Sequence, residues 1–531
     1  DNIRSDFPQP LINRMASSAA HVAGKNLVAS ESCTWIRNHF RTALSQVKPE
    51  IDQLFLTGIN HIFFHGICYS PKDAPWPGWL FYASLEYNPR NAIWHDAKFL
   101  NEYVTRCQSI LQSGTPDNNV ALYWPVYDIW QSPTGMQQQL TVHHPEWLTE
   151  SSCGETANWL QENGFSFDYI SDRQLLAGLA EPYSIIVVPK TRTMSISTLQ
   201  KLLEVEKNGK PVIFLESLPT DVPGFNQFGK RQIELKKLVK AQKLKAVQFD
   251  ELSNRLVTRG VAREPMKDAG LDYIRRNGPE GNYYFIANMG ATEVDGWTVM
   301  GTPFKSVAIF DPLSGKTGVA SQRNKNEIYL QLKPGETRIL KLFSEKVVMG
   351  EPWPVVKKSQ RNPIVIQGEW QVTFIDGAPE LPADFQTVNL ASWTEQNDAE
   401  AKRFAGTARY AIEFELLGNN AANWILDLGD VRESARVYLN GKFIAALYSI
   451  PYTTLIGEYL IPGNNRLEIE VTNLSSNRIR DLDARKVEWQ IFHDINFVNH
   501  NYTKFDASKW PLTPSGLLGP VQLIPMEELQ L

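Results

Sequence analysis

Apolar residues at helical spacing run from 11 to 23 and stop at Gly24, which predicts a helix with a glycine C-cap. A strand is predicted at 26 to 31, its apolar run Leu27, Val28 and Ala29 leading into the carboxylate of Glu31. Val47, Ile51, Leu54 and Phe55 share one face of a second helix, about 42 to 56. Gly58 ends that helix, Ile59 to Phe64 form a second apolar strand, and His65 sits at the strand's end. Helix, strand, helix, strand is the repeat of a parallel sheet. Residues 66 to 95 break the pattern, being dense in Pro, Gly, Trp and Tyr. A structureless segment that long inside a domain is usually functional. Helical spacing returns at 96 to 112, with Phe99, Leu100, Tyr103, Val104, Cys107 and Ile110.

The rhythm restarts near 118. Strands are predicted in "NNVALYWP", "SFDYIS", "YSIIVVPK" and "PVIFLES", and helices in "GETANWLQENG" and "SISTLQKLLEVEKNG". Together they make a second α/β sheet over about 118 to 220, followed by a basic amphipathic stretch at 229 to 250. Alternating strands over 280 to 345 predict a small β-sandwich, and 346 to 364, with Pro352, Pro354 and Pro363, reads as a linker. The remainder alternates as a further all-β unit, with turns at "NGK" (440 to 442) and "PGNN" (462 to 465).

Composition narrows the picture. A chain of 531 residues exceeds one core, so three or four domains are expected. Hydrophobic residues at 43% fit globular packing rather than disorder. A net charge of -5 gives no sign of a nucleic-acid or membrane-surface protein, and no apolar run reaches the roughly 18 residues of a spanning helix. No signal peptide is seen in these residues. Cys33, Cys68, Cys107 and Cys153 lie 35, 39 and 46 apart, matching no zinc pattern. Cys107, on an apolar helix face, is expected to be a buried free thiol, and disulfides are not indicated. The 15 Trp, 18 Tyr and 25 Phe supply flat rings that suit sugar faces and serve equally as core material. GxSxG, HExxH, P-loop and strand-following GxGxxG motifs are absent, against a serine hydrolase, zinc peptidase or NTPase. His143 and His144 read as a loop.

In parallel barrels and sheets, ligands meet the carboxyl ends of strands. Glu31 and, one unit later, His65 are placed there by the pattern. A carboxylate set against an apolar indole is suited to proton transfer, and Trp35 follows Glu31 four residues on. Glycoside hydrolysis needs two carboxyl groups across the scissile bond. The same residues have structural readings: Glu31 as a surface or capping residue, His65 as a core histidine, Trp76 and Trp79 as pins of the loop. Asp73 and Glu86 read as solvated loop charges.

Three long blocks carry a resemblance: "ASSAAHVAGKNLVASESCTW", "GINHIFFHGICYSPKDAPWPGW" and "NPRNAIWHDAKFLNEYVTRCQSILQSG". They resemble glycoside hydrolase family 106, known for α-L-rhamnosidases. The resemblance implies an inverting enzyme with a TIM-barrel catalytic domain and a calcium ion assisting sugar binding. It implies Glu31 as the general base, with His65, Trp35, Trp76 and Tyr69 as substrate-binding residues and the metal ligands undefined. "FAGTARYAIEFEL", "LDLGDVRESARVYLNGK" and "GNNRLEIEVTN" look like a galactose-binding-type jelly roll, and 118 to 220 resembles a glutaminase-like domain. The expected division is 1–117, the C-terminal part of a (β/α)8 barrel; 118–225, glutaminase-like α/β; 226–350, a helical segment and small β-sandwich; and 351–531, the jelly roll.

A whole (β/α)8 barrel takes about 250 residues, and only about 112 precede the second domain here. The expectation is therefore a C-terminal part of a longer enzyme, or a subunit completed by a second chain, with the general acid before residue 1. "DNIRSDFPQP" reads as a chain interior or a mature start. The substrate implied is an oligosaccharide or polysaccharide with terminal α-L-rhamnose, in the periplasm or outside the cell. A non-catalytic carbohydrate-binding protein and a same-family hydrolase of different sugar specificity are the alternatives. Asp481 and Asp483, close together, are acidic enough for a calcium site or a solvated turn.

Overall fold

The computed structural model describes residues 9–142, 144–416, 423–492, 504–529 and 531. His143 and the first eight residues, read above as loop and chain start, lie outside the described residues.

The N-terminal part holds α1 (Pro10–Val22), β1 (Ala29–Ser32), α2 (Leu44–Leu56), β2 (His61–Phe64) and α3 (Trp94–Leu111). Pro10 opens α1, where a missing N–H leaves nothing unpaired, and Gly24 follows its end at φ +66. β1 and β2 pair in parallel with Glu31 level with Phe63. Alternate side chains along a strand point to opposite faces. Ile62 and Phe64 pack into a core built from Val47, Ile51 and Phe55 of α2 and Leu100, Tyr103 and Val104 of α3. The opposite face carries Glu31, His61 and Phe63, the two rings edge-on at 4.5 Å. That face is bare: Phe63, with Leu27 and Ile67 at the strand ends, is exposed. Among the described residues no third strand pairs with this sheet.

The second body is a five-stranded parallel sheet in the spatial order Phe167–Ile170, Val120–Tyr123, Ile185–Val188, Val212–Leu215, Ala246–Val247. Its first three strands are buried along their whole length, as expected where both faces are covered. Helices Ser152–Glu162 and Leu252–Thr258 pack on one face, Ile196–Lys207 and Phe228–Ala241 on the other. The Ser195 hydroxyl caps the Ile196 helix by accepting from the Thr198 N–H at 3.0 Å.

Next, a six-stranded antiparallel sheet and the three-stranded sheet around Glu327–Leu332 close on a shared core of Tyr284, Ile286, Ile309, Leu340, Ile328 and Leu330. The C-terminal body sets a six-stranded against a five-stranded sheet, with Trp370, Trp393 and Trp424 between them. The hairpin Ser434–Leu439 to Lys442–Leu447 turns at Asn440 and Gly441, both at positive φ, as a two-residue loop requires. The segment expected as a linker supplies two strands, Val356–Lys358 and Ile364–Val365, to Gln522–Glu528. Its prolines flank these strands and interrupt neither, and the partner lies far along the chain, so no local pattern announces the pairing. All four cysteines are free and buried. The fold is mixed α/β with many β-sheets.

Buried polar contacts tie the bodies together around the first. Lys48 donates to Asp52 Oδ2 at 2.7 Å and to the Gly335 carbonyl at 2.8 Å, and the Tyr103 hydroxyl donates to Asp52 Oδ1. The Ser475 hydroxyl donates to Asn91 Oδ1 at 3.0 Å and the Leu80 N–H to the Ile491 carbonyl at 2.8 Å, fixing the 66–93 loop to the C-terminal body.

Candidate active site

Parallel pairing of β1 with β2 brings their C-terminal ends together. The His65 N–H extends the ladder by donating to the Ser32 carbonyl at 2.9 Å. Beyond the strand ends, three side chains meet. The Thr34 hydroxyl donates to Glu31 Oε1 at 2.9 Å, and its oxygen lies 3.0 Å from His65 Nδ1. His65 Nδ1 is 3.2 Å from the same Oε1. Thr34 has one proton and gives it to Glu31, so its contact with Nδ1 requires the hydrogen on the imidazole nitrogen. Glu31 Oε1 is thus held from two sides. Oε2 has no hydrogen-bond donor among the described residues, and the Glu31 side chain is 64% exposed. A carboxylate anchored through one oxygen and open at the other can accept a proton from a water placed there.

The imidazole is held from behind. Phe81 meets it edge-on at 4.6 Å and Tyr82 at 5.9 Å. Burial, and then the negative charge of Glu31, push the Tyr82 phenol above its ordinary value, so Tyr82 stays a neutral hydrogen-bond donor beside the carboxylate.

The other residues expected in a sugar pocket are spread more widely. Trp35 is only 6% exposed and packs in the α2–α3 core, with the Arg37 guanidinium 4.3 Å over its ring. Trp76 is half-buried: its Nε1 donates to the Arg90 carbonyl at 2.8 Å, Arg478 lies 3.8 Å over its face, and Phe40 packs at 5.9 Å. These contacts pin the loop. Tyr69 is 80% exposed, on the same loop. Glu31 and His65 are brought into contact, and no contact joins them to Trp35, Trp76 or Tyr69 among those described.

Asp73 is exposed, as a solvated loop charge should be, but Glu86 corrects the expectation made for it. Glu86 is buried, 2.9 Å from His39 Nδ1. Burial pushes its carboxyl up, and His39 eases that effect. The His39 ring stacks on Phe505 at 5.1 Å, so this pair clamps the loop beneath the site to the C-terminal body. No local pattern marks Tyr82 or His39 as site residues; Thr34, three residues after Glu31, is the one within reach of a spacing argument.

Among the described residues no three His, Cys, Asp or Glu side chains group to hold a metal. Asp481 pairs with Arg485 at 2.7 Å, and Asp483 accepts from the Ala507 N–H at 2.7 Å and from Trp489 Nε1. Both carboxylates are committed to the protein itself.

With this geometry in hand, likeness to known proteins is informative. Residues 9–322 match the family model of glycoside hydrolase 106, described as alpha-L-rhamnosidase. A rhamnosidase from Novosphingobium sp. PP1Y superimposes with a TM-score of 0.75 at 23% identity, covering 99% of this chain and 50% of that one. At that identity the likeness speaks for the fold. A curated relative from Formosa agariphila, named a putative beta-glucuronidase, is 32% identical over 246 residues, 40% of this chain and 20% of its own. The chain therefore spans half the length of the solved relative and a fifth of the curated one.

Proposed function

This chain belongs to glycoside hydrolase family 106, the alpha-L-rhamnosidase family, and from that premise we propose that it forms the late part of a glycosidase's catalytic domain, in which Glu31 is the general base. The observation that carries the reading is the Glu31–Thr34–His65 cluster at the strand ends, one carboxylate oxygen held and the other open. In this reading β1 and β2 are two strands of a (β/α)8 barrel, and the bare face bearing Glu31, His61 and Phe63 is its interior wall. Chain outside these residues completes the barrel and supplies the general acid across the sugar. The five-stranded parallel body is the glutaminase-like domain and the C-terminal sheets the galactose-binding-like jelly roll.

The reaction proposed removes terminal α-L-rhamnose with inversion. Glu31 Oε2 takes a proton from water on the face of the sugar opposite the leaving group, while the acid protonates the departing oxygen. His65 and Thr34 fix the direction of the carboxylate, Tyr82 and the exposed Tyr69 contact the sugar, and Trp76 holds the loop that carries Tyr69. A calcium ion assisting sugar binding is proposed from the family resemblance. A periplasmic or extracellular setting suits a polymer-degrading role. The relative named a glucuronidase favours one second reading, the same chemistry on a different sugar, which a panel of aryl glycosides separates. Turnover by the natively produced protein is the test. Glu31→Gln is expected to lower it by about a hundredfold or more with sugar binding kept, and a loss below about tenfold removes Glu31 from the role of base. Sugar binding with no hydrolysis in the wild type supports a non-catalytic carbohydrate-binding protein instead.

A further inference from the structure

We propose that the helix Phe228–Ala241 and the turn leaving it form a docking surface for an anionic polysaccharide, a glycan bearing carboxylate or sulfate groups. The choice of polymer rests on the glycosidase reading above; the charge pattern does not. Between 228 and 245 the chain carries Lys230, Arg231, Lys236, Lys237, Lys240, Lys243 and Lys245 against the single carboxylate of Glu234, a local excess of positive charge in a chain whose net charge is -5.

The helix sorts its residues by face. At 3.6 residues per turn, Lys230, Ile233, Lys236, Lys237 and Lys240 fall within an arc of about 120° and along about 15 Å of axis. All five are exposed. The other side is committed to the fold: Leu235 is buried, and Leu238 and Val239 pack with Leu199, Leu202 and Phe214. Arg231 is engaged as well, donating to the carbonyls of Pro223, Gly224 and Asn226 at 2.7 to 2.8 Å. The six lysines differ. Among the described residues none makes an ion pair with a carboxylate, whereas Lys201 on the adjacent helix pairs with Glu204 at 2.7 Å. Phe225, 96% exposed, precedes the helix by three residues and leaves its ring uncovered.

Six ammonium groups on so short a surface repel one another and concentrate anions. Insertion into a lipid interface would need the apolar side of the helix, and that side is already packed in the core; purely electrostatic attachment to anionic lipid is what the vesicle arm of the test below separates. A linear glycan with repeated charged groups meets the row of lysines without disturbing it. Its attachment would hold the polymer on the enzyme between cleavage events.

The test is binding of the full chain to polygalacturonate at low and physiological salt, read beside neutral dextran, anionic phospholipid vesicles and duplex DNA. Salt-sensitive binding to polygalacturonate but not dextran is expected. The triple variant Lys236→Gln/Lys237→Gln/Lys240→Gln should weaken it about tenfold, from roughly two- to threefold per exposed charge pair. The corresponding triple Arg variant should retain it. Binding unchanged by the Gln substitutions overturns the proposal, as does tighter binding to vesicles or DNA than to the acidic glycan. Turnover of a small neutral rhamnoside is measured separately, so a failure of the Glu31 reading leaves this result intact and the reverse also holds.

Discussion

Glu433 offers a stability prediction whose size follows from its surroundings. It sits between the strands Asp430–Arg432 and Ser434–Leu439, its N–H donating to the Thr472 carbonyl at 2.8 Å and its carbonyl accepting from the Tyr452 hydroxyl at 2.8 Å. The backbone is satisfied, and no donor reaches the carboxylate among the described residues. Arg432 is engaged by Asp430 at 2.7 Å and so compensates Glu433 only in part, while Asp430 repels it. Burial dominates and pushes the carboxyl from 4.5 up to about 7. At 1.36 kcal/mol per pH unit, that rise is worth about 3 kcal/mol. Below pH 4.5 the group is protonated in folded and unfolded chains alike, and stability is full. As pH rises toward 7 the unfolded chain ionises first, so stability is lost across that window and the loss is complete above it. Glu433→Gln is neutral throughout and shape-matched. The variant should unfold like the wild type near pH 4.5 and be more stable by about 3 kcal/mol at pH 8. Urea unfolding is followed by tryptophan fluorescence, to which Trp370, Trp393 and Trp424 in the core of this body contribute. A difference between variant and wild type that stays constant from pH 4.5 to 8 would mean that ionisation of Glu433 does not set this stability.

Other substitutions probe the joints and the site. Lys48→Met strips the buried Asp52 carboxylate of its cation and should destabilise the first body by about 3–5 kcal/mol, with most of the loss recovered in Lys48→Met/Asp52→Leu; both are read by thermal and urea unfolding. His39→Phe keeps the stack on Phe505 while removing the partner of Glu86, and should cost about 1–3 kcal/mol, reduced when Glu86→Gln is added. Thr34→Val removes the hydroxyl that anchors Glu31 without changing side-chain shape. It should lower kcat about tenfold and alter the pH profile while leaving unfolding unchanged, because the hydroxyl lies at the surface.

Much of the fold was legible because its signals are local. The apolar periods of α1 to α3 and the glycines that stop them define the first unit to within a few residues. The fully apolar "SIIVV" announced a strand buried on both faces, and "NGK" announced its own turn. Parallel pairing of two successive strands followed from the alternation, and with it the meeting of Glu31 and His65. What stayed hidden depends on partners far along the chain. Glu86 looks like any loop carboxylate until the fold sets it against His39, and Tyr82 is remote in sequence from the Glu31 it adjoins. Residues 346 to 364 look like a linker because the strand that their second half joins begins at 522. Trp35 shows a further limit: an aromatic after a strand reads the same whether it turns to a ligand or, as here, into the core.

Activation of water by Glu31 in an inverting hydrolysis, as proposed, is read most directly from the anomeric proton of the released sugar. The natively produced protein would hydrolyse an aryl α-L-rhamnoside while proton NMR spectra are recorded from the first turnovers. β-Rhamnose is expected to form first and equilibrate later, and the signal to disappear in Glu31→Gln. First formation of the α-anomer, or an undiminished rate in Glu31→Gln, would contradict it.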